Sequence, residues 1–192
     1  MGSALRKEDA ESTYTYADYK EWELKEGERY ELIYGEAFAM ASPNDFHQSI
    51  SGELFKQIAI YLTGKPCKVR PAPYDVRLFY TEDERDDTVV QPDISIICDE
   101  KKRGPEGCRG APDFVAEILS PSNTAEEMGR KFRLYRKAGV REYWVISPKD
   151  KTLETYLFDG GVIHFRTYAS TEKATVGIFP DLTIDLEPVF AE

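Results

Sequence analysis

The sequence predicts an α/β fold in which a mixed central β-sheet is flanked by helices, and three observations predict it. Residues 114–119 are a short, nearly unbroken apolar run between Pro112 and Pro121, and residues 94–98 are a second. Both read as strands covered on both faces. Past the first of them, Met128, Phe132 and Tyr135 recur at helical spacing, so buried strand gives way to amphipathic helix. The chain has 192 residues, of which 41% are hydrophobic, with twelve Tyr and ten Phe. That suffices for one domain with its own core, expected over residues 14–192 after a loose polar segment at 1–13.

Taken in order, Tyr16, Tyr19, Trp22 and Leu24 predict a first helix over residues 14–25, stopped before Gly27. Residues 30–33 and 37–41 flank Tyr34-Gly35-Glu36 and read as a hairpin turning at Gly35. Ile50, Leu54, Ile58, Tyr61 and Leu62 mark an amphipathic helix over 46–62, capped by Asn44 or Asp45 and ended by Gly64 and Pro66. Residues 69–80 are extended around Pro71 and Pro73, with a strand at 75–78, and 81–88 form a charged loop. Pro92 lacks an amide donor, which suits the entry of the strand that follows. Residues 99–110 read as a charged surface loop. The helix after the central strand is capped by Ser122, Asn123 or Thr124, carries Glu126 and Glu127 in its positive first turn, and stops at Gly139. Residues 142–147 form a further strand. A C-terminal hairpin follows, its strands at 151–158 and 162–168 joined by Asp159-Gly160-Gly161.

The formal net charge of -10 argues against a whole surface built for nucleic-acid binding, which needs clustered Lys and Arg. A local basic face remains available. Arg130, Lys131, Arg133, Arg136, Lys137 and Arg141 supply one within a dozen residues, and Lys101-Lys102-Arg103 a smaller one; a solvated surface is the alternative for both. Cys67, Cys98 and Cys108 are odd in number and lack a Cys-x-x-Cys spacing, which points to neither a disulfide framework nor a zinc site and suits a reducing cytoplasm. No apolar run is long enough to span a bilayer, and the first residues lack the apolar core of an export signal.

Glu117 interrupts the apolar run at 114–119. An ionised carboxylate in a strand covered on both faces is costly unless a cation or a set of donors neutralises it. Two partners present themselves: a divalent metal ion shared with Asp93, which precedes the other apolar run, and the ammonium of Lys131 on the following helix. Two carboxylates on neighbouring strands with a lysine suit a hard cation that takes oxygen ligands and polarises water and phosphate. The bland alternative is a strand-entry acid at Asp93 and a simple buried ion pair at Glu117.

Pro92-Asp93, Glu117 and Lys131-x-x-x-Tyr135 resemble the PD-(D/E)XK nuclease superfamily. Gln91-Pro92-Asp93-Ile94, Ala111-Pro112-Asp113, residues 117–122 and residues 138–144 are similar to its restriction endonuclease branch of unknown biological role. The likeness runs from about residue 16 to residue 148. It implies a restriction endonuclease-like core and a metal-dependent endonuclease, acting on nucleic acid and on DNA before RNA. Asp93, Glu117 and the carbonyl of Ile118 would hold Mg²⁺ or Mn²⁺. The lysine expected two residues after the glutamate is Leu119 here, so Lys131 takes its part, with Tyr135 beside it. Glu36 is the accessory acid, against the alternative of a turn glutamate facing solvent, and His47 and Gln48 are candidate lining residues. Nucleases of this kind often pair as homodimers, though nothing in the sequence specifies an interface. The rival reading is a catalytically inactive, nuclease-like interaction module, motivated by the net acidity and the displaced lysine.

Overall fold

In a computed structural model that describes residues 13–191, the site rests on a mixed six-stranded sheet. Its members are β3 (Lys68–Pro71), β6 (Ile94–Ile97), β9 (Phe114–Ile118), β10 (Glu142–Ser147), β11 (Thr152–Asp159) and β12 (Val162–Ala169), ordered β12-β11-β10-β9-β6-β3. Only β9 and β10 run parallel, because the helix α3 (Ala125–Ala138) crosses between them. Every residue of β6 and β9 is buried, as their unbroken apolar sequence requires. The helix α2 (Asp45–Leu62) covers one face with Ile50, Leu54, Ile58 and Leu62, and α3 covers the other with Leu134 and Tyr135.

A second six-stranded sheet, ordered β2-β1-β5-β4-β8-β7, packs on the α3 side. It contains β1 (Tyr30–Ile33), β2 (Glu36–Ala39), β4 (Val76–Arg77), β5 (Val89–Val90), β7 (Arg103–Gly104) and β8 (Gly107–Arg109). The hairpin expected at the C-terminal end is β11–β12, which extends the main sheet. A further antiparallel ribbon, β13 (Lys173–Val176) and β14 (Phe179–Asp185), and a short helix α4 (Leu186–Val189) close the α2 face.

The capping signals hold at both long helices. Asn44 accepts from His47 N at the start of α2, and Thr124 and Glu127 form a reciprocal capping box on α3. Gly139 ends α3 with φ 91°, a left-handed conformation that a side chain would strain.

Three expectations are corrected. The first helix spans only α1 (Tyr16–Tyr19), because Tyr14, Tyr19, Trp22 and Tyr30 pack ring against ring beside Leu32 and Val89 instead of forming one helical stripe. The loop at 99–110 holds a turn of 3₁₀ helix and the β7–β8 hairpin. Cys67 and Cys98 form a disulfide, since the antiparallel register of β3 and β6, extended by one pair, sets them opposite each other. The loose segment expected at 1–13 falls, apart from Thr13, outside the described residues. No helix among the described residues is long and apolar enough to cross a membrane.

Two buried charges anchor the frame away from the site. Arg77 pairs with Asp86 and lies across the face of the Tyr16 ring, 3.8 Å from its centre. Glu142 accepts from Trp144 Nε1 at 2.6 Å, Gly177 N at 3.0 Å and Ile178 N at 2.9 Å, tying β10 to the turn before β14. Replacement Glu142→Ala strands these three donors in the interior. It is expected to lower stability by about 3 kcal/mol, read as a shifted denaturant midpoint with an unchanged slope.

Candidate active site

Strand register builds the site. Ile94 lies opposite Ala116, so the next pair of the ladder sets Asp93 opposite Glu117 at one end of the main sheet. Asp93 turns its Oδ2 to the amide of Ile118, which donates at 2.7 Å. Glu117 points towards α3, where Lys131 Nζ lies 2.9 Å and Tyr135 OH 2.5 Å from Oε1. Because Lys131 and Tyr135 are four residues apart, one helix face delivers both groups to one carboxylate oxygen.

A residue that the sequence reading missed completes the cluster. Glu31, only 4% exposed, places Oε1 3.0 Å from Lys131 Nζ and 3.1 Å from the Gln91 amide. Lys131 therefore bridges two buried carboxylates from different sheets. The signal that marks Glu117, an acid inside an apolar strand, is present at Glu31 as well, in Tyr30-Glu31-Leu32-Ile33. Glu36, expected as the accessory acid, is exposed at the turn end of β2 opposite Ile33. It sits two register pairs from Glu31, and Glu31 is the β1–β2 acid that stands beside Lys131.

The α2 side contributes His47. Its Nε2 lies 3.3 Å from Asp93 Oδ2, while Nδ1 is buried without a partner among the described residues. His47, Gln48 and Asp93 line an open cleft of about 410 Å³ with Arg29, Ser51 and Pro73. The sheet end is thus walled by α3 on one side and opens past α2 on the other.

Burial lifts the Glu117 carboxyl above the ordinary range; Lys131 opposes the shift, and Glu31 and Asp93 add to it. Burial works against the charge on Lys131, but Glu117 and Glu31 outweigh it and hold the ammonium. His47 follows the same pattern, its burial outweighed by Asp93, so its pKa is raised. Three carboxylates face one ammonium and one imidazole, an arrangement in which a further cation is electrostatically welcome.

The donor set fits a hard divalent ion. Among the described residues no three His, Cys, Asp or Glu side chains form a cage. Mg²⁺ needs none, since it is commonly held by one or two carboxylates and keeps several waters. Asp93, Glu117 and the Ile118 carbonyl supply such oxygen ligands beside an open cleft, and both hydrogen bonds to Glu117 fall on Oε1, which leaves Oε2.

A model of the family Uma2, described as Putative restriction endonuclease, matches residues 16–187. The chain belongs to the Uma2 family. Among its relatives is the uncharacterized protein slr1290 of Synechocystis sp., 28% identical over 140 residues that cover 72% of this chain and 71% of that protein. The crystal structure of a putative nuclease of DUF820 from Anabaena variabilis superposes with a TM-score of 0.71 at 20% identity, covering 92% of this chain and 97% of the other. That likeness shows a shared fold, mixed sheets with flanking helices, over nearly the whole chain.

Proposed function

We propose that this Uma2 protein is a metal-dependent endonuclease that hydrolyses phosphodiester bonds, in DNA before RNA. The observation that carries the reading is the pairing of Glu117 with Lys131 next to Asp93, which accepts from the amide of Ile118 and lines an open cleft. Its support from similarity is the family description.

In this reading Asp93, Glu117 and the Ile118 carbonyl hold Mg²⁺ or Mn²⁺. Bound there, the ion supplies Lewis acidity to the phosphodiester and lowers the pKa of the attacking water. The protein's own groups do the rest. Lys131 keeps Glu117 and Glu31 in place and offsets the charge that builds on the phosphate oxygens. Tyr135 and Lys131 both hold Oε1 of Glu117, which leaves Oε2 for the ion. His47 steadies Asp93 from the α2 side, and with Gln48 it contacts phosphate or water in the cleft. Cutting both strands of a duplex calls for two such sites, and hence for a pair of chains.

The test is incubation of purified protein with plasmid DNA and structured RNA in Mg²⁺ or Mn²⁺. Cleavage that stops with EDTA and returns with excess metal is expected. Folded, metal-loaded protein that leaves a broad substrate panel uncut would overturn the enzymatic reading in favour of a binding module.

A further inference from the structure

The two basic clusters legible in the sequence have different fates. The cluster at 101–103 is tied into its own fold: Lys102 donates to the Ala111 carbonyl at 2.7 Å, and Arg103 donates to the Pro66 carbonyl and lies near Glu100. In the cluster at 130–141, carboxylates engage Lys131, at the site, and Arg141, just past the end of α3, where Asp113 lies at 3.3 Å. Arg130, Arg133, Arg136 and Lys137 have no carboxylate partner among the described residues.

These four share one side of the helix. At 3.6 residues per turn they fall within an arc of about 120°, away from the buried stripe of Leu134 and Tyr135. Arg133, Arg136 and Lys137 are exposed. Arg133 lies back over Gly129, its Nη1 3.2 Å from where a Cβ there would stand, so its charge is carried towards the end of α3 that holds Lys131. Arg130 sits over the Phe38 ring at 4.0 Å, with a buried Nε that lacks a partner. Lys137 lies 4.9 Å from the Tyr34 ring, itself 42% exposed and stacked on Phe79.

The geometry points to this ridge as the track along which the sugar-phosphate backbone of a nucleic acid runs to the catalytic cluster. The assignment rests on the nuclease reading and names the surface that holds the substrate outside the cleft. Charge complementarity selects the occupant: on a chain of net charge -10, four unpaired cations on one helix face are an exception that a polyanion would match. Continuity supports it, since Arg130 lies over the ring of Phe38, whose register partner on β1 is Glu31, the carboxylate bound to Lys131. From Arg130 to Lys137 is about 10 Å along the helix, comparable to about three nucleotides of one strand. At its far end the exposed Tyr34 ring offers a face on which a base can stack.

The experiment measures binding of a labelled DNA, single-stranded and duplex, to the metal-free protein, so that nothing is cut. It compares wild type with the double variant Arg133→Glu, Lys137→Glu and with the charge-keeping variant Arg133→Lys, Lys137→Arg, all checked for unchanged thermal unfolding. The reversed variant is expected to bind at least ~10-fold more weakly, and the slope of log affinity against log salt to shrink by about 2 for two lost phosphate contacts. The charge-keeping variant is expected to match wild type. Equal affinity and slope in wild type and the reversed variant would overturn the track while leaving the nuclease reading intact, as long as both still bind Mn²⁺. Failure of folded wild type to bind nucleic acid at low salt would overturn both. Binding that depends on the ridge, from a protein that cuts nothing, would sink the nuclease reading and with it the track to a catalytic cluster, leaving the ridge as a nucleic-acid-binding surface.

Discussion

Replacement of Asp93 by Asn is expected to abolish metal-dependent cleavage while leaving the protein folded. Asn keeps the shape of the side chain and an oxygen that can still accept from the Ile118 amide, so the local hydrogen bond that orders the end of β9 survives. What is lost is the negative charge. Of the groups that would hold the cation, Asp93 is the carboxylate that lines the cleft, and it has no lysine beside it to take over the balance. A fall in turnover of ~10³-fold or more follows, equivalent to about 4 kcal/mol of transition-state stabilisation. Cleavage assays on protein with an unchanged unfolding midpoint are the check, and metal-dependent activity persisting in the variant would remove Asp93 from its assigned role.

The second large effect is at Lys131, where stability and activity should fall together. Lys131→Met keeps the aliphatic stem but leaves Glu117 and Glu31, both nearly fully buried, facing each other without their shared cation. Breaking a buried pair in this way typically costs about 3–5 kcal/mol. A compensating change separates the two roles. Lys131→Met combined with Glu31→Gln removes one of the stranded charges, so part of the stability is expected to return in denaturant titrations, whereas cleavage is not. Full recovery of activity in the double variant would mean that Lys131 serves only as a structural counter-charge.

The limits of what could be read from the sequence lie in the difference between local and distant information. The buried strands β6 and β9, the helix α3 and its caps follow from patterns within a few residues, and they fall at or near the expected positions. Lys131 could be proposed as the partner of Glu117 because both belong to one strand–helix unit. Glu31 belongs to a different sheet, one hundred residues away from Lys131, and only the packing of β1 against α3 brings it in. The same distance effect governs Cys67 and Cys98, whose pairing is set by the β3–β6 ladder and by no local spacing. Glu36 illustrates the converse: a motif position in a hairpin turn says little about which side chain reaches inwards. The second sheet was legible as the β1–β2 hairpin and the strand at 75–78 that contains β4, whereas β7 and β8 are two or three residues long and too short to stand out from the loop around them.

The central claim is that Asp93 and Glu117 form a divalent-cation site, and calorimetric titration with Mn²⁺ tests it without knowledge of the substrate. Wild type is expected to bind Mn²⁺, Asp93→Ala and Glu117→Ala to lose that binding, and Arg133→Glu to retain it. Folded wild-type protein that takes up no Mn²⁺, or binding that survives in both carboxylate variants, would contradict the account.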